Sequence, residues 1–348
     1  MASLENVLGR IKSMKTSDFD YYLPKELIPL YPLAKREQSR LMVVRRGDGE
    51  IGHRRFYQLP GLLKEGDLLV LNDTKVIPAR LFGKLSNGDR FEVLLTERVN
   101  PRLWKAIMRN PKQGVSVEFN GGLRGRVLKN GKDEWLIEYE VNADDYVEQY
   151  GRIPLPPYIE REPEERDRAS YQTVYAEKYG AIAAPTAGLH FTKELIDEIH
   201  RSGVEVRYVT LHVGVGTFRP VKTDDISEHK MHPEHREIPE ETALAVNKAK
   251  SEHRRVVAVG TTVVRALESA ADQTGRVRKE NGPTDLFIYP GFRFRVVDAL
   301  ITNFHLPRST LLMLVSAFAG KEIIFKAYEE AKREGYRFLS YGDAMLII

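Results

Sequence analysis

Side chains that can move protons or bind hydroxyl groups stand at the rim of an apolar segment near the C-terminus. Val296–Ile301 is typical of a buried strand, and it carries one carboxylate, Asp298. Asn303 and His305 follow at the point where that strand should end. Because a carboxylate, an amide and an imidazole serve proton transfer and sugar binding, we expect these three side chains to belong to one site.

The segment after these residues must support the site. Thr310–Ala319 is apolar on every side, and Ser309 is a suitable N-cap after the break at Pro307. A helix that is apolar all round is buried, and about ten residues are too few to span a bilayer. We therefore predict a buried helix at Thr310–Ala319 that packs behind the polar residues.

Two further histidines lie in segments that could bind a substrate. His190 precedes a predicted helix, Lys193–Arg201, and could act as a general base or a donor to a leaving group. A buried histidine whose hydrogen bonds are satisfied is the simpler alternative. His212 lies in a predicted strand, and Arg219 follows a glycine-containing turn, where it could clamp a carboxylate or phosphate with both guanidinium branches.

A glycine junction joins a buried strand to a helix. Val256–Val259 is followed by Gly260 and then by the predicted helix Thr262–Ala271. Free backbone N–H groups at such a junction suit an anionic or hydroxyl-rich ligand, although many α/β proteins have the same junction without one. The segment matches neither GxGxxG nor a P-loop, so it does not indicate dinucleotide or ATP binding.

Three histidines at intervals of three residues, His229, His232 and His235, raise the question of a metal. Pro233 interrupts any helix through them, and no acidic residue stands at an HExxH-like position, so a polar binding loop is favoured and no metal is predicted. The chain has no cysteine, which excludes disulfides, thiolate catalysis and Cys-ligated zinc and fits a cytoplasmic location. No GxSxG elbow is present either, so a hydrolase triad has no anchor.

Length and strand pattern predict two domains. The chain has 348 residues and a formal net charge of +4, which permits a nucleic-acid partner. Short strand-like runs separated by turns fill residues 67–152, a pattern typical of a small antiparallel β-barrel. Strands alternate with helices elsewhere, so we predict a three-layer α/β domain from 1–66 plus 153–348, with 67–152 as an inserted barrel. Met1–Lys15 has no signal-peptide pattern, and we expect a loosely attached extension.

Basic residues are concentrated on the barrel block. Such a surface is usually a solvated face, but small barrels also bind oligonucleotides through basic and aromatic side chains. Trp104 and Phe119 are available for stacking, although core packing is their simpler use. The basic residues that we predict to contact RNA on this block are Lys75, Arg80, Arg109, Lys112, Arg124 and Arg126.

Taken together, the segments closely resemble one family, the S-adenosylmethionine:tRNA ribosyltransferase-isomerases of the queuosine pathway. The matching segments run in family order from about Asp18 to the C-terminus, whereas Met1–Lys15 and His235 lie outside the pattern. They are Leu71–Leu81, Ile153–Ile159, Tyr171–Tyr175, Ala184–Thr192, Leu211–Val221, His229–Glu234, Val259–Glu268, Phe287–Gly320 and Tyr336–Ile348.

The resemblance implies a reaction. The ribosyl part of S-adenosylmethionine moves to the aminomethyl group of a 7-deazaguanine base at the tRNA wobble position and rearranges to an epoxycyclopentane. Adenine and methionine leave, and the product is epoxyqueuosine. S-adenosylmethionine is then a consumed co-substrate rather than a bound cofactor, no metal is implied, and we expect a monomer with no membrane association.

This chemistry needs a base for an acidified C5′ hydrogen, a donor to adenine and partners for the sugar hydroxyls. His190, His212 and Asp298 are the candidates for proton transfer. Arg308 is a further candidate contact to tRNA phosphate. The residues predicted to bind substrate are Thr186, Arg219, His229, His232, Gly260, Thr261, Thr262, Arg265, Tyr289, Asn303 and His305.

Two other functions fit the same features. A tRNA methyltransferase would also use S-adenosylmethionine, but it would release S-adenosylhomocysteine instead of adenine and methionine. A non-enzymatic RNA-binding protein with a sensor domain for an adenosyl ligand would bind precursor tRNA without turnover.

Overall fold

A computed structural model describes residues 14–131, 134–214 and 221–348. Arg219 and the first thirteen residues of the predicted extension therefore lie outside the described part. Of the other two residues of that extension, Met14 accepts a backbone hydrogen bond from Ile226 and Lys15 forms a β-bridge with Asp225. The α-helices of the described residues are α1 (Asp144–Tyr150), α2 (Asp167–Ser170), α3 (Lys193–Arg201), α4 (Glu240–Ser251), α5 (Thr261–Ala270), α6 (Thr310–Ala319) and α7 (Lys321–Arg333).

A nine-stranded mixed sheet forms the centre of the molecule. Its four central strands, the third to the sixth in the order below, are mutually parallel. In spatial order the strands are β15 (Glu280–Thr284), β13 (Glu234–Ile238), β12 (Glu205–Leu211), β3 (Leu68–Asn72), β14 (Val256–Val259), β16 (Ala299–Asn303), β17 (Ala344–Ile347), β1 (Arg40–Val44) and β2 (Ile51–Arg55).

Helices cover both faces of this sheet. Side chains alternate between the faces along a strand, and in β3 Leu68 and Val70 join one core while Leu69 and Leu71 join the other. The first core also contains side chains of α4, α5, α6 and α7, and the second contains side chains of α3 and of the 3-10 helix Phe56–Gly61. Helices therefore pack on both faces of one sheet, which is the predicted three-layer α/β arrangement.

A closed antiparallel barrel is inserted in the chain between β3 and β12. Trp104 and Phe119 are buried in its core, as the simpler alternative for these aromatics predicted. The barrel confirms the inserted domain of the predicted fold. Its strands are β5 (Arg80–Leu85), β6 (Arg90–Asn100), β7 (Leu103–Met108), β8 (Ser116–Phe119), β9 (Arg124–Asn130) and β10 (Glu134–Tyr139).

Two adjacent connections join the barrel to the sheet. The backbones of Arg80 and Arg152 exchange hydrogen bonds of 3.1 and 2.9 Å, so the chain enters and leaves the barrel at one place. β4 (Thr74–Val76) and β11 (Lys178–Ala181) pair in parallel beside this point. The remaining 3-10 helices of the described residues are Thr16–Phe19, Lys25–Leu27, Arg36–Gln38, Thr186–His190 and Ile226–Glu228.

One predicted strand forms but lies in the other sheet, and one predicted strand does not form. The run Asp67–Leu71, which the sequence pattern places in the barrel block, is β3 at the centre of the large sheet, where it is buried on both faces. Leu286–Tyr289 is not a strand, and the edge strand β15 lies upstream at Glu280–Thr284. The predicted N-cap Ser309 is confirmed, because its hydroxyl accepts a hydrogen bond of 3.2 Å from the backbone N–H of Leu312. Among the described residues, no helix is long and apolar enough to cross a membrane.

Candidate active site

The carboxyl ends of the four central parallel strands meet at one edge of the sheet. These ends are Leu211 of β12, Asn72 of β3, Val259 of β14 and Asn303 of β16. In open α/β sheets, ligands bind in the crevice outside the carboxyl ends of the strands. We call this edge the carboxyl edge, and its position in the sheet makes it the candidate binding site.

A small cavity of about 40 Å³ lies at the carboxyl edge. It has room for only a few water-sized groups, so a larger ligand requires the lining segments to move apart. Six of the residues predicted to bind substrate line it together, which the sequence could indicate only segment by segment. They are Thr186, Gly260, Thr261, Thr262, Asn303 and His305.

Gly260 and Asn72 determine the local structure at the carboxyl edge. Gly260 has a φ of +93°, a conformation that favours glycine, and α5 starts directly after it. The Asn72 side chain pairs with the backbone of Leu211 in both directions, at 3.0 Å each, and donates to the Thr262 hydroxyl at 3.2 Å. Asn72 thus ties β3, β12 and α5 together, a role that no sequence argument assigned to it.

Asn303 is the centre of a buried hydrogen-bond network. Its side-chain nitrogen donates to the backbone oxygen of Leu339 at 3.1 Å and lies 3.2 Å from Nε2 of His190. Its side-chain oxygen accepts from the Thr186 hydroxyl at 3.2 Å. Because an amide nitrogen only donates, Nε2 of His190 is the acceptor, and the ring proton sits on Nδ1, which lies 2.8 Å from the Ser39 hydroxyl.

His190 is buried and neutral. Its ring packs at a tilt of 30° against Phe56, with 4.9 Å between the ring centroids, and the residue is 4% exposed. Burial lowers the pKa of His190 to about 3, and the nearby positive charges of Arg337 and Arg36 act in the same direction. At neutral pH the imidazole is therefore in its basic form, with both nitrogens hydrogen-bonded inside the protein.

His305 also lines the cavity, and its ring and backbone are hydrogen-bonded within the protein. Its Nε2 lies 2.8 Å from the Thr302 hydroxyl, its backbone N–H donates to Tyr328 at 2.9 Å, and its carbonyl accepts from Tyr21. Burial lowers the pKa of His305 to about 3. The residue anchors the turn that follows β16.

His212 lies apart from the residues that line the cavity. Its Nδ1 is 2.7 Å from the Thr74 hydroxyl, and its ring stacks on His235 at 5.9 Å between centroids. A Cβ at Gly180 would lie 2.8 Å from the imidazole, so the backbone of β11 packs directly on the ring. Burial, with the neighbouring His235, lowers the pKa of His212 to about 4. The side chain thus faces the junction with the barrel.

The structure does not bring Asp298 to the other candidates. Asp298 precedes β16, whereas Asn303 ends it, and five residues of strand separate the two by about 17 Å. The Asp298 carboxylate pairs with Lys250 at 2.7 Å and accepts the backbone N–H of Val256 at 2.9 Å. Its position at the amino edge of the sheet, with these partners, fits a structural role.

Arg265 holds another buried ion pair. Its guanidinium group pairs with Glu234 and donates to the backbone oxygen of Leu286 at 3.0 Å. The same Glu234 accepts the backbone N–H of Gly214 at 2.8 Å. Arg265 thereby orders the chain next to the cavity but does not line it.

His229 and Tyr289 both contact the ring of Phe287, away from the cavity. Phe287 lies 5.1 Å from His229 and 5.0 Å from Tyr289 between ring centroids. Burial, with the nearby His232, lowers the pKa of His229. His232 itself is exposed. Within the described ranges, no three His, Cys, Asp or Glu side chains are placed to hold a metal ion.

Four of the predicted RNA contacts are exposed on the barrel: Arg109, Lys112, Arg124 and Arg126. Arg124 and Arg126 line an open cleft of about 950 Å³. The cleft also contains acidic residues, and Arg124 pairs with Glu118 at 3.4 Å.

The other three predicted RNA contacts already have partners. Arg80 pairs with Glu92 at 2.6 Å, and Arg308 pairs with Asp20. The Lys75 ammonium lies 4.2 Å from the centroid of the Tyr179 ring. A phosphate would have to displace or share these partners.

A family model described as queuosine biosynthesis protein matches residues 16–347. The chain belongs to the queuosine biosynthesis protein family. Relatives of this family member include the S-adenosylmethionine:tRNA ribosyltransferase-isomerase of Carboxydothermus hydrogenoformans, which is 54% identical over 96% of this chain and 100% of that protein. The protein of the same name from Sulfurihydrogenibium is 51% identical over the same shares.

A solved structure extends the comparison of this queuosine biosynthesis family member. The S-adenosylmethionine tRNA ribosyltransferase of Thermotoga maritima is 40% identical, with a TM-score of 0.55, over 95% of this chain and 100% of that one. The similarity therefore includes the sheet and the barrel. Ser39, Asn72 and Thr302 are hydrogen-bonded to candidate residues of this family member, and no local sequence pattern points to them.

Proposed function

We propose that this protein transfers the ribosyl part of S-adenosylmethionine to a 7-aminomethyl-7-deazaguanine base at the wobble position of tRNA. The ribosyl group is isomerised to an epoxycyclopentane, which gives epoxyqueuosine-tRNA, and adenine and methionine are released. One observation carries the proposal: the chain is 54% identical, over 96% of its length, to a relative whose name states this class of activity. We also propose that the protein acts as a monomer in the cytoplasm.

The reaction requires three proton movements around one sugar. A base removes a hydrogen from C5′, which the neighbouring sulfonium acidifies. The substrate amine loses a proton as it bonds to the ribosyl carbon, and adenine takes up a proton as its bond to C1′ breaks. Methionine leaves with the electron pair of its bond to C5′. The carboxyl edge supports this scheme because hydroxyl, amide and imidazole groups meet there within one cavity wall.

We assign the sugar hydroxyls to Thr186, Thr261, Thr262 and Asn303, which line that cavity. His190 is the favoured group for proton transfer because a single hydrogen bond joins its ring to Asn303, which lines the cavity. A sugar hydroxyl that takes up the Asn303 amide would free Nε2 as a proton acceptor. Because it faces the barrel, His212 is the second candidate, for a proton of the tRNA base.

The barrel is proposed as the domain that contacts tRNA. Exposed basic side chains favour binding to a phosphate backbone, and Arg109 and Lys112 have no carboxylate partner among the described residues. Arg124 and Arg126 extend the same basic set along the open cleft. A surface of this type fits a large, folded nucleic acid better than a small metabolite.

Mass spectrometry of the wobble nucleoside tests the function. The protein is incubated with S-adenosylmethionine and tRNA that carries the aminomethyl base, and the small molecules are measured in parallel. We expect epoxyqueuosine together with equal amounts of adenine and methionine. The matched control is the same tRNA with guanine at the wobble position, which should give no product.

Two results would contradict the proposal. Release of S-adenosylhomocysteine with a gain of one methyl mass would establish a methyltransferase. Tight binding of the precursor tRNA without any turnover would favour an RNA-binding sensor protein. The tRNA with wobble guanine separates these outcomes from non-specific RNA binding.

A further inference from the structure

A second cavity, of about 190 Å³, lies on the other side of the His190 network. It is not lined by Asn303 but by His190 and Ser39, which are joined by the 2.8 Å hydrogen bond described above. Its polar lining also includes Arg36, Arg337 and Ser340, and further Arg166, Ser170 and Tyr341. We call this space the arginine cavity.

Neither the Arg36 nor the Arg337 guanidinium group pairs with an acidic side chain of the described residues. Arg36 donates only to the backbone oxygens of Gln172 at 3.1 Å and Ala169 at 3.4 Å. Arg337 donates to the backbone oxygen of Tyr341, and its buried Nε has no hydrogen-bond partner among the described residues. Over the same part of the chain, no carboxylate lies within 4.0 Å of either group.

The two carboxylates near this cavity, Asp343 and Asp167, already accept hydrogen bonds from other groups. The Asp343 carboxylate accepts the backbone N–H groups of Arg40 and Arg337, each at 2.8 Å. The Asp167 carboxylate makes two bonds of 2.7 Å to Arg161 and accepts from Tyr341 at 3.1 Å.

A third arginine at the cavity, Arg166, pairs with Glu164 at 2.7 Å, whereas Glu37, next to Arg36, acts on it only at longer range. Arg36 and Arg337, both half-buried, thus share a cavity in which no carboxylate of the described residues pairs directly with either guanidinium group, while Asp343 acts on Arg337 only at longer range. This arrangement costs free energy unless a ligand supplies the negative charge.

We propose that Arg36 and Arg337 bind the carboxylate of the methionine moiety of S-adenosylmethionine. This inference rests on the function proposed above. A guanidinium fork matches a carboxylate in two parallel hydrogen bonds. The apolar side chains of Pro32, Leu33 and Leu189 line the same cavity and offer a surface for the methylene chain of methionine.

The size and position of the cavity favour one end of a small ligand. Cavities that enclose a whole drug-sized ligand have about 300–1,000 Å³, so about 190 Å³ suits a part of one. His190 connects the arginine cavity to Asn303 at the carboxyl edge, where we place the sugar. One molecule of S-adenosylmethionine then has its methionine end and its ribosyl end on the two sides of His190, which requires the contact between His190 and Asn303 to open as the ligand binds.

Calorimetric titration tests the assignment with two ligands, S-adenosylmethionine and its decarboxylated analogue, which lacks only the carboxylate. The protein is compared with Arg36→Gln and Arg337→Gln. The control is Arg333→Gln, which removes an exposed arginine that pairs with Glu330 on α7. We expect the wild type and the control to prefer the carboxylated ligand by roughly tenfold to a hundredfold, and each cavity variant to lose most of that preference.

Arg337→Lys provides a second test that does not depend on the glutamine variants folding. It keeps the charge but loses the fork, so an intermediate preference is expected. In parallel, tRNA affinity is measured against salt concentration. The cavity variants should leave the slope of log affinity against log salt unchanged, because the ligand is a carboxylate and not a phosphate of tRNA.

Several outcomes would overturn the inference while leaving the proposed function intact. One is a full preference for the carboxylated ligand in Arg36→Gln and Arg337→Gln. Another is a salt slope that falls by about 0.9 for each variant, which would assign the cavity to a tRNA phosphate. If the wild type binds neither ligand and makes no product, the proposed function fails first and the inference fails with it.

Discussion

Acidification should destabilise the folded protein through two histidines that are buried as neutral groups. His190 and His305 are 4% and 8% exposed, and burial lowers the pKa of each to about 3. An unfolded histidine has a pKa of about 6.5. Because the folded pKa is lowered, the unfolded chain takes up these protons first, and stability is lost as the pH falls from about 6.5 towards about 3.

The size of the effect follows from this difference. Between pH 7.5 and 5.5 an unfolded imidazole goes from about 10% to about 90% protonated, while the buried one stays neutral. Linkage then lowers the free energy of unfolding by about 1.4 kcal/mol for each histidine. Together, His190 and His305 contribute a loss of about 2.7 kcal/mol over this range.

Urea unfolding at the two pH values measures this quantity for the wild type and for His190→Gln. We expect the variant to lose about 1.4 kcal/mol less than the wild type on acidification. His200→Gln is the matched control, since His200 is exposed in the last turn of α3 and should leave the difference unchanged. Equal pH dependence of the wild type and His190→Gln would mean that the imidazole is already protonated in the folded protein, and our tautomer argument would fail.

Three further predictions use the same site and the barrel. Asn303→Leu should lower the free energy of unfolding in urea by about 2–6 kcal/mol, because it leaves two buried acceptors unpaired. Thr186→Val should cost only about 1 kcal/mol, and equal losses would show that the network is not centred on Asn303. Asp298→Asn should keep turnover within about threefold in the nucleoside assay, because Asp298 lies at the opposite edge of the sheet. A hundredfold loss of turnover would show that Asp298 takes part in the reaction. The double variant Arg109→Gln, Lys112→Gln should reduce the salt slope of tRNA binding by about 1.8, and an unchanged slope would remove both residues from the RNA contact surface.

Elements that are specified locally could be predicted from the sequence. The helix Thr310–Ala319 has the predicted bounds because its cap and its apolar residues lie within one short segment. β3 was assigned to the wrong sheet, although Leu68–Leu71 is continuously apolar, as expected for a strand buried on both faces. β15 was missed because Gly282 and Pro283 weaken a strand pattern, and an edge strand tolerates them.

The site was predictable only in part, for a related reason. Asn303 ends one buried strand and Gly260 follows another, and parallel strands bring their ends together, so both could be found. Asp298 belongs to the predicted strand Val296–Ile301, but β16 begins only after it, at Ala299, so Asp298 lies at the opposite edge of the sheet from Asn303. The partnership of Ser39 with His190 depends on how distant segments meet, and no local pattern encodes it.

The strand order also determines when each part of the protein can fold during synthesis. The barrel uses strands between Arg80 and Tyr139 only, so its hydrogen bonds can close as soon as that segment has left the ribosome. β1 has to wait for its parallel partner β17, because Leu41 pairs with Ala344 near the end of the chain. Until then β1 presents an open edge that can pair with other chains. The nascent chain therefore keeps this edge open from the synthesis of β1 until that of β17, although the strands of its inserted barrel are complete well before.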